Sequence, residues 1–350
     1  MALFEVKSVD TGVFESELRD FLPDTMIDIH THVWLKSFRV LRKNDGRTVT
    51  WPSLVAPENP VDHLLETYRL MFPGKKVTPL IFSSLGTRQD DFTAANGYIA
   101  DAAKKNQLPA LLFARPDWDG DRLDEELSKG GFLGIKVYLS LSDVSIPRNR
   151  IAIFDFLPHA QLEVVNRRKG IVMLHIPRDA RIKDPLNVAQ TLTIAEKYTD
   201  LSLVIAHAGR AYCEEDMGDA FDRLAPARGV LFDISANTNA KVFETLLRKV
   251  GPERILFGSD LPITRMRMKR ISESGRYVNL VGKGLYGDVS GDPNMREVSD
   301  IEAAQHTFFL YEEQLAFKAA AIQAGLNDKD VEQVFNGNAK TIIEQAGGTL

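Results

Sequence analysis

From residue 26 onward the chain alternates between two patterns. Short runs that are apolar on both faces, such as Leu201-Ser-Leu-Val-Ile-Ala206, are followed by stretches whose apolar positions recur at helical spacing. The apolar runs fall at 26–32, 78–83, 110–114, 134–139, 170–175, 201–206, 229–234 and 254–259, and helices are expected between them at 61–72, 90–106, 121–129, 151–168 and 187–199. Strands buried on both faces and separated by helices mark a parallel sheet, and eight such units close a (β/α)8 TIM barrel of the α/β class. A doubly wound open sheet would want a Gly-rich phosphate turn after the first strand, where this chain has His30-Thr31-His32. Residues 1–25 read as an N-terminal arm and 26–350 as a single barrel domain with extra C-terminal helices at 296–324 and 328–346. Two connections stand out. The segment 33–60 is polar and too long for an ordinary βα loop, and 263–293, rich in Gly, Arg and Ser without clear periodicity, is expected to cap the pocket as a mobile lid.

Composition narrows the class without choosing a reaction. Apolar residues make up 44% and charged residues 26% of 350, near the globular average, so a sizeable core is expected. A net charge of −5 with no long basic run argues against nucleic acid, and Arg167-Arg168-Lys169 and Lys269-Arg270 read as solvated faces. The single cysteine, Cys213, excludes an intramolecular disulfide. The first ten residues lack the apolar core of a signal peptide and no run approaches a membrane span, so a cytoplasmic protein without a membrane partner is expected.

The chemistry-bearing residues gather at strand ends, the face on which barrels of this kind build their sites. In Met26-Ile-Asp-Ile-His-Thr-His32 the period of two sends His30 and His32 to one face. His175 ends the fifth run, His207 follows the sixth and Asp260 ends the eighth. Imidazole and carboxylate are first-row metal ligands. His63, His159 and His306 fall on expected helices and read as surface or packing residues. In the fourth run Lys136 shares a face with Tyr138 and points inward, as Asp28 and Asp233 do on the same parity, and an ion pair between the lysine and one of these is its plain reading.

Ile-Asp-Ile-His-Thr-His, Met-Leu-His-Ile-Pro, Val-Ile-Ala-His-Ala-Gly and Ile-Leu-Phe-Gly-Ser-Asp-Leu-Pro, in this order, resemble the amidohydrolase superfamily. Gly-Ser-Asp-Leu-Pro and the tail Phe335-Asn-Gly-Asn-Ala-Lys340 are similar to its amidohydrolase-related branch, which includes aminocarboxymuconate semialdehyde decarboxylase and lactone hydrolases. The resemblance implies that His30, His32 and His175 bind one divalent metal, zinc being the expected ion. Asp260 would be a further ligand or the base that takes a proton from water, with His207 beside it. Two-metal members carboxylate a lysine equivalent to Lys136 as a bridge, and Lys136 with His207 would then hold a second ion. The one-metal arrangement is preferred here.

Arg115, Arg178, Arg210, Arg265 and Arg267 each lie a few residues past a strand end, and arginine suits carboxylates in bidentate geometry. An anionic small-molecule substrate is therefore expected. Trp34, Trp51 and Trp118 are candidates to wall the pocket, with apolar packing as their plainer role. The resulting expectation is metal-dependent hydrolysis of an ester, lactone or amide through a metal-activated water. A nonoxidative decarboxylase on the same residues and a metal-free binding barrel are the alternatives, and the number of subunits is left open.

Overall fold

The computed structural model describes residues 3–38, 52–84 and 87–350. β1 (Thr25–His32) and β2 (Lys76–Phe82) form a parallel pair. β3 (Leu112–Phe113), β4 (Gly134–Val137), β5 (Ile171–Leu174), β6 (Ser202–Ile205), β7 (Val230–Asp233) and β8 (Ile255–Leu256) form a six-stranded parallel sheet in sequence order. Backbone hydrogen bonds join the two into a ring. Ile81 N–H to Pro109 O and Leu111 N–H to Ile81 O link β2 to the chain entering β3, while Ile29 N–H to Phe257 O and His32 N–H to Leu261 O link the chain leaving β8 to β1. The fold is thus a (β/α)8 barrel.

Strand alternation divides the core into two layers. Ile135, Val137, Val172, Leu174, Leu203, Ile205, Val230 and Phe232 face the helices. Ile27, Ile29, Leu80, Phe82, Met173, Val204, Leu231 and Leu256 fill the interior, closed off by Ala339, Ile342 and Ile343 of the C-terminal helix Asn338–Gln345. The tail motif has a packing role here: Phe335 stacks on Phe257 with ring centroids 5.0 Å apart, and the Asn338 amide donates to the carbonyls of Pro252 and Ile255 around β8.

Several helices start where capping chemistry provides an acceptor. The Asp119 carboxylate accepts from Arg122 N–H at the head of Gly120–Gly130, and Asp184 caps Pro185–Lys197 with proline in the first turn. The helix expected over 151–168 is shorter, His159–Arg167, because Pro158 has no N–H and disfavours helical geometry in the residue before it; short 3-10 turns occupy Arg148–Arg150 and Ile153–Asp155. His306 lies in the link between Asp300–Ala303 and Phe309–Ala324 and not on a helix.

The segment after β8 differs most from expectation. β9 (Met268–Glu273) and β10 (Arg276–Gly282) form an antiparallel hairpin, and β11 (Met295–Val298) pairs parallel to β10. Ser274 and Gly275 turn the hairpin with φ of 50° and 73°, the positive angles a two-residue loop requires. Near the N-terminus, Phe14, Leu18 and Leu22 join the outer core, and Phe14 stacks on Tyr311. Trp34 is buried with Phe38, Phe92 and Phe113, and its indole donates to Pro57 O at 3.2 Å; Trp118 packs against the same cluster. Trp51 lies outside the described residues. Among the described residues, no helix is long and apolar enough to cross a membrane.

Candidate metal centre

His30 and His32 reach the mouth of the barrel, although strict alternation does not carry them there. Ile27 and Ile29 pack inside and Asp28 turns away, as alternation from Ile27 requires, and a bulge between Asp28 and Thr31 then shifts the parity of the residues that follow. Asp28 accepts from Tyr68 Oη of the helix Val61–Met71 (2.7 Å), from His30 N–H (3.1 Å) and from Ser259 N–H (2.9 Å), tying β1 to the segment that carries Asp260. The inward direction expected for Asp28 from the parity of His30 and His32 is therefore corrected, because the bulge separates the two parities. Gly258 completes the arrangement: a Cβ there would lie 2.8 Å from that of His30 and 3.3 Å from that of Asp233, so glycine is what lets these residues approach.

After β6 the backbone makes a short left-handed turn, with φ of 57°, 47°, 68° and 61° at His207, Ala208, Gly209 and Arg210. Each residue with a Cβ in that region costs about 1–2 kcal/mol. The turn is held by His207 N–H donating to Asp233 Oδ1 (2.8 Å) and Gly209 N–H to Ala206 O (3.0 Å). No other residue fits at Gly209, where a Cβ would sit 2.6 Å from Ile182. Asp260 is also left-handed, with φ of 57°. Such conformations persist only where the surroundings over-determine them.

The imidazoles are oriented from behind. His30 Nδ1–H donates to Asp233 Oδ2 (2.8 Å), His32 Nδ1–H to Ser83 O (3.1 Å) and His207 Nδ1–H to Ser235 O (3.1 Å). Nε2 is thereby the nitrogen left to face other groups, Lys136 Nζ at 3.4 Å from that of His30 and Asp260 at 3.2 Å from that of His32, and fixing one ring nitrogen to present the other is the usual outer-shell arrangement of metal-binding histidines. Asp260 Oδ1 lies 3.2 Å from His32 Nε2 and 3.7 Å from His30 Nε2. Ligand atoms of His30, His207 and Asp260 all fall within 4.8 Å of one another, so His207 is more central than its place in the chain implies. The His175 ring lies 5.2 Å from that of His207, and its buried Nδ1 has no hydrogen-bond partner among the described residues. A buried nitrogen without a partner is what an external ligand would satisfy.

Asp233 is the residue that sequence reasoning undervalued. Besides His30 Nδ1 and His207 N–H it accepts Ser235 N–H (3.0 Å) and Ser235 Oγ–H (2.5 Å), and Ser235 Oγ lies 2.9 Å from His207 Nδ1 and 3.3 Å from His30 Nδ1. Its position at the end of β7 was the available signal, the same one that marked Asp260. Burial drives the electrostatics. It lowers His30 to about 3, with Lys136 adding to the effect, and holds His175 and His207 below the usual imidazole value. Burial acts to raise Asp233 and Asp260, but the histidines outweigh it; Asp233 lies well below the carboxylate range and Asp260 falls to about 2. Neutral imidazoles facing an ionised carboxylate are the protonation states metal ligation needs.

Lys136 is 1% exposed and points inward, its Nζ 3.4 Å from His30 Nε2 and 5.0 Å from the centre of the Phe82 ring. Among the described residues no carboxylate lies within ion-pairing distance of it, so the expected pairing with Asp28 or Asp233 is not seen, and burial lowers the amine to about 8. The arginines divide by partner. Arg115 binds Asp117, Arg178 binds Asp184 and Arg267 binds Asp10 of the N-terminal turn. Arg210 donates to the carbonyls of Ile176 (3.1 Å) and Arg178 (3.0 Å), and its charge acts on His175 and Tyr138. Arg265 donates a long bond to Val55 O (3.4 Å) and lies over Phe4; its Nη1 has no hydrogen-bond partner among the described residues. Arg270, read from sequence as part of a solvated face, instead lies over Tyr212, Tyr277 and Phe309 at 5.0, 4.6 and 4.6 Å.

Comparison with known proteins agrees with this architecture. No significant match occurs among curated proteins. Among solved structures, a Burkholderia multivorans amidohydrolase with bound zinc is 14% identical, with a TM-score of 0.57 over 93% of this chain and 100% of that one. A dihydroxybenzoic acid decarboxylase from Polaromonas sp. JS666, with manganese and 2-nitroresorcinol bound, is 17% identical, with a TM-score of 0.53 over 92% and 97%. A Pseudomonas putida protein provisionally assigned as a 2-pyrone-4,6-dicarboxylic acid hydrolase is 17% identical, with a TM-score of 0.54 over 93% and 99%. At these identities the likeness is one of fold. The family model for amidohydrolases matches residues 27–343, and the chain belongs to the amidohydrolase family.

Proposed function

We propose that the protein is a metal-dependent hydrolase acting on an ester, lactone or amide bond of a small carboxylated molecule. His30, His32, His175 and Asp260 would hold one divalent ion, zinc being the expected one, with His207 close enough to share it. The observation that carries this reading is the convergence of Nε2 atoms around Asp260 from imidazoles whose Nδ1 atoms are already committed. A bound ion of this kind lowers the pKa of water and polarises a carbonyl.

The chain's own groups supply the rest. Asp260, ionised at neutral pH, accepts the proton of an attacking water. His207, neutral and held through Nδ1, presents Nε2 to a leaving group and can pass a proton to or from it. Arg210, without a carboxylate partner among the described residues and acting electrostatically on His175 and Tyr138, is the best-placed anchor for a substrate carboxylate. Arg265 ranks second. Arg115, Arg178 and Arg267 are already neutralised by neighbouring aspartates and contribute less.

The same placement of Arg210 would hold a carboxylate about to leave as carbon dioxide, which supports decarboxylation as the second reading. The test is metal analysis of purified protein, followed by a screen of lactones, amides and unsaturated or aromatic carboxylic acids, scoring bond hydrolysis and carbon dioxide release separately. Close to one metal per chain, loss of turnover on chelation and no dependence on bicarbonate are expected. Full activity of metal-free protein would refute the reading, while two metals with a carboxylated Lys136 would replace its one-metal form.

A further inference from the structure

We propose that Glu313 and Arg270 are positioning residues for the metal centre, gripping the two sides of Ala236 and so holding Ser235 against His207 and His30. This rests on the metal-centre reading above. Glu313 Oε2 accepts Ala236 N–H at 2.7 Å, and Arg270 Nη1 donates to Ala236 O at 2.7 Å. Between these contacts Ala236 is held in the left-handed region at φ 51°, although it carries a Cβ. Such a conformation requires support, and the two grips provide it.

Both supporting groups lie outside the eight βα units. Glu313 is on the helix Phe309–Ala324, fully buried, and Oε1 has no hydrogen-bond partner among the described residues. A carboxyl taken out of water for a single hydrogen bond is costly, so its contribution lies in that bond. Burial holds it well above the usual carboxylate range, in the neutral form that an amide reproduces. Arg270 is on β9 and is itself fixed, with Nε donating to Asn279 Oδ1 at 2.8 Å and its plane set among Tyr212, Tyr277 and Phe309. The insertion after β8 and a C-terminal helix thus meet at one residue, each holding one of the two peptides that flank it. One residue earlier, Ser235 Oγ bridges Asp233 and His207, so a displaced Ala236 would loosen the imidazoles.

The test uses full-length, metal-stripped protein titrated with Co2+, whose visible absorption reports coordination geometry. Glu313→Gln keeps an acceptor for Ala236 N–H and should bind Co2+ like the parent, whereas Glu313→Leu and Arg270→Met should each weaken binding about ten- to a hundredfold and change the spectrum. Amide hydrogen exchange of metal-free protein gives a second readout: exchange over 233–237 should rise in Glu313→Leu and not in Glu313→Gln. A folded Glu313→Leu variant with parental affinity, spectrum and exchange would overturn the proposal. If that variant does not fold, Arg270→Met decides by the same outcomes. Failure of the parent to bind Co2+ would sink the metal-centre reading, and the exchange experiment would still decide whether the grip exists.

Discussion

Asp233→Asn separates orientation of a ligand from its presence. Asp233 Oδ1 accepts His207 N–H, Ser235 N–H and Ser235 Oγ–H, and an amide oxygen can keep all of these bonds. Oδ2 faces His30 Nδ1 at 2.8 Å, and there the amide would present N–H to N–H. His30 must then either leave a donor pair unsatisfied, at about 1–3 kcal/mol, or move its proton to Nε2, which blocks the nitrogen aimed at the centre. Loss of an outer-shell partner of this kind typically weakens metal affinity about ten- to a hundredfold, equivalent to roughly 1.4–2.8 kcal/mol. Asp233→Ala is the poorer experiment. It would strand every donor the carboxylate now satisfies, at about 1–3 kcal/mol each, against a total stability of about 5–15 kcal/mol. The assay is competition titration of metal-free Asp233→Asn with Zn2+ against a chromogenic chelator, with thermal unfolding followed by circular dichroism as the fold control. A well-folded variant that binds Zn2+ as tightly as the parent would show that Asp233 does not set the His30 tautomer, or that His30 is not a ligand.

Asp260→Asn should lower kcat by about 100- to 10,000-fold with a much smaller change in KM, since an amide cannot accept a proton; an unchanged kcat with metal still bound would remove Asp260 from catalysis. Burial raises Asp28 to about 7, so its stabilising contribution is fully present below its unfolded value near 3.8 and is lost as pH rises to 7. Asp28→Asn, which mimics the protonated acid, should therefore gain about 4 kcal/mol relative to the parent between pH 4 and pH 7, measured by urea unfolding of metal-free protein; parallel pH profiles would refute the assignment. Arg210→Ala should lower kcat/KM for a carboxylated substrate about ten- to a hundredfold while sparing its neutral methyl ester. Arg267→Ala should leave that preference unchanged and lower Tm instead, because its partner is Asp10 of the N-terminal turn.

Much of the barrel was legible because its signals are local. Runs apolar on both faces, separated by helical periods, specify parallel strands, and short connections bring successive strands together without further instruction. The same logic placed His30, His32, His175, His207 and Asp260 at one rim, since each lies at or just past the end of a strand. The β9–β10 hairpin was missed because only part of its surface is buried, so Lys269, Ser272 and Glu273 dilute the alternation. Its two-residue Ser274-Gly275 turn was the overlooked signal.

The sequence by itself determined the order of the βα units, the face on which the candidate site lies and the donor types available there. Each follows from hydrophobic period and residue identity along a continuous stretch. Only the tertiary structure decided which donors meet and in what state. The Asp28 bulge, the left-handed turn at His207 and the approach allowed by Gly258 depend on packing between segments far apart in the chain, and no local pattern encodes them. The same is true of the arginines. Asp117 and Asp184 are near neighbours of Arg115 and Arg178, but Asp10 reaches Arg267 from the other end of the chain, and among the described residues Arg210 and Arg265 have no such partner. Charge state belongs to the fold as well, because the shifts of His30, Lys136 and Asp28 are led by desolvation, which exists only once the surrounding core has closed.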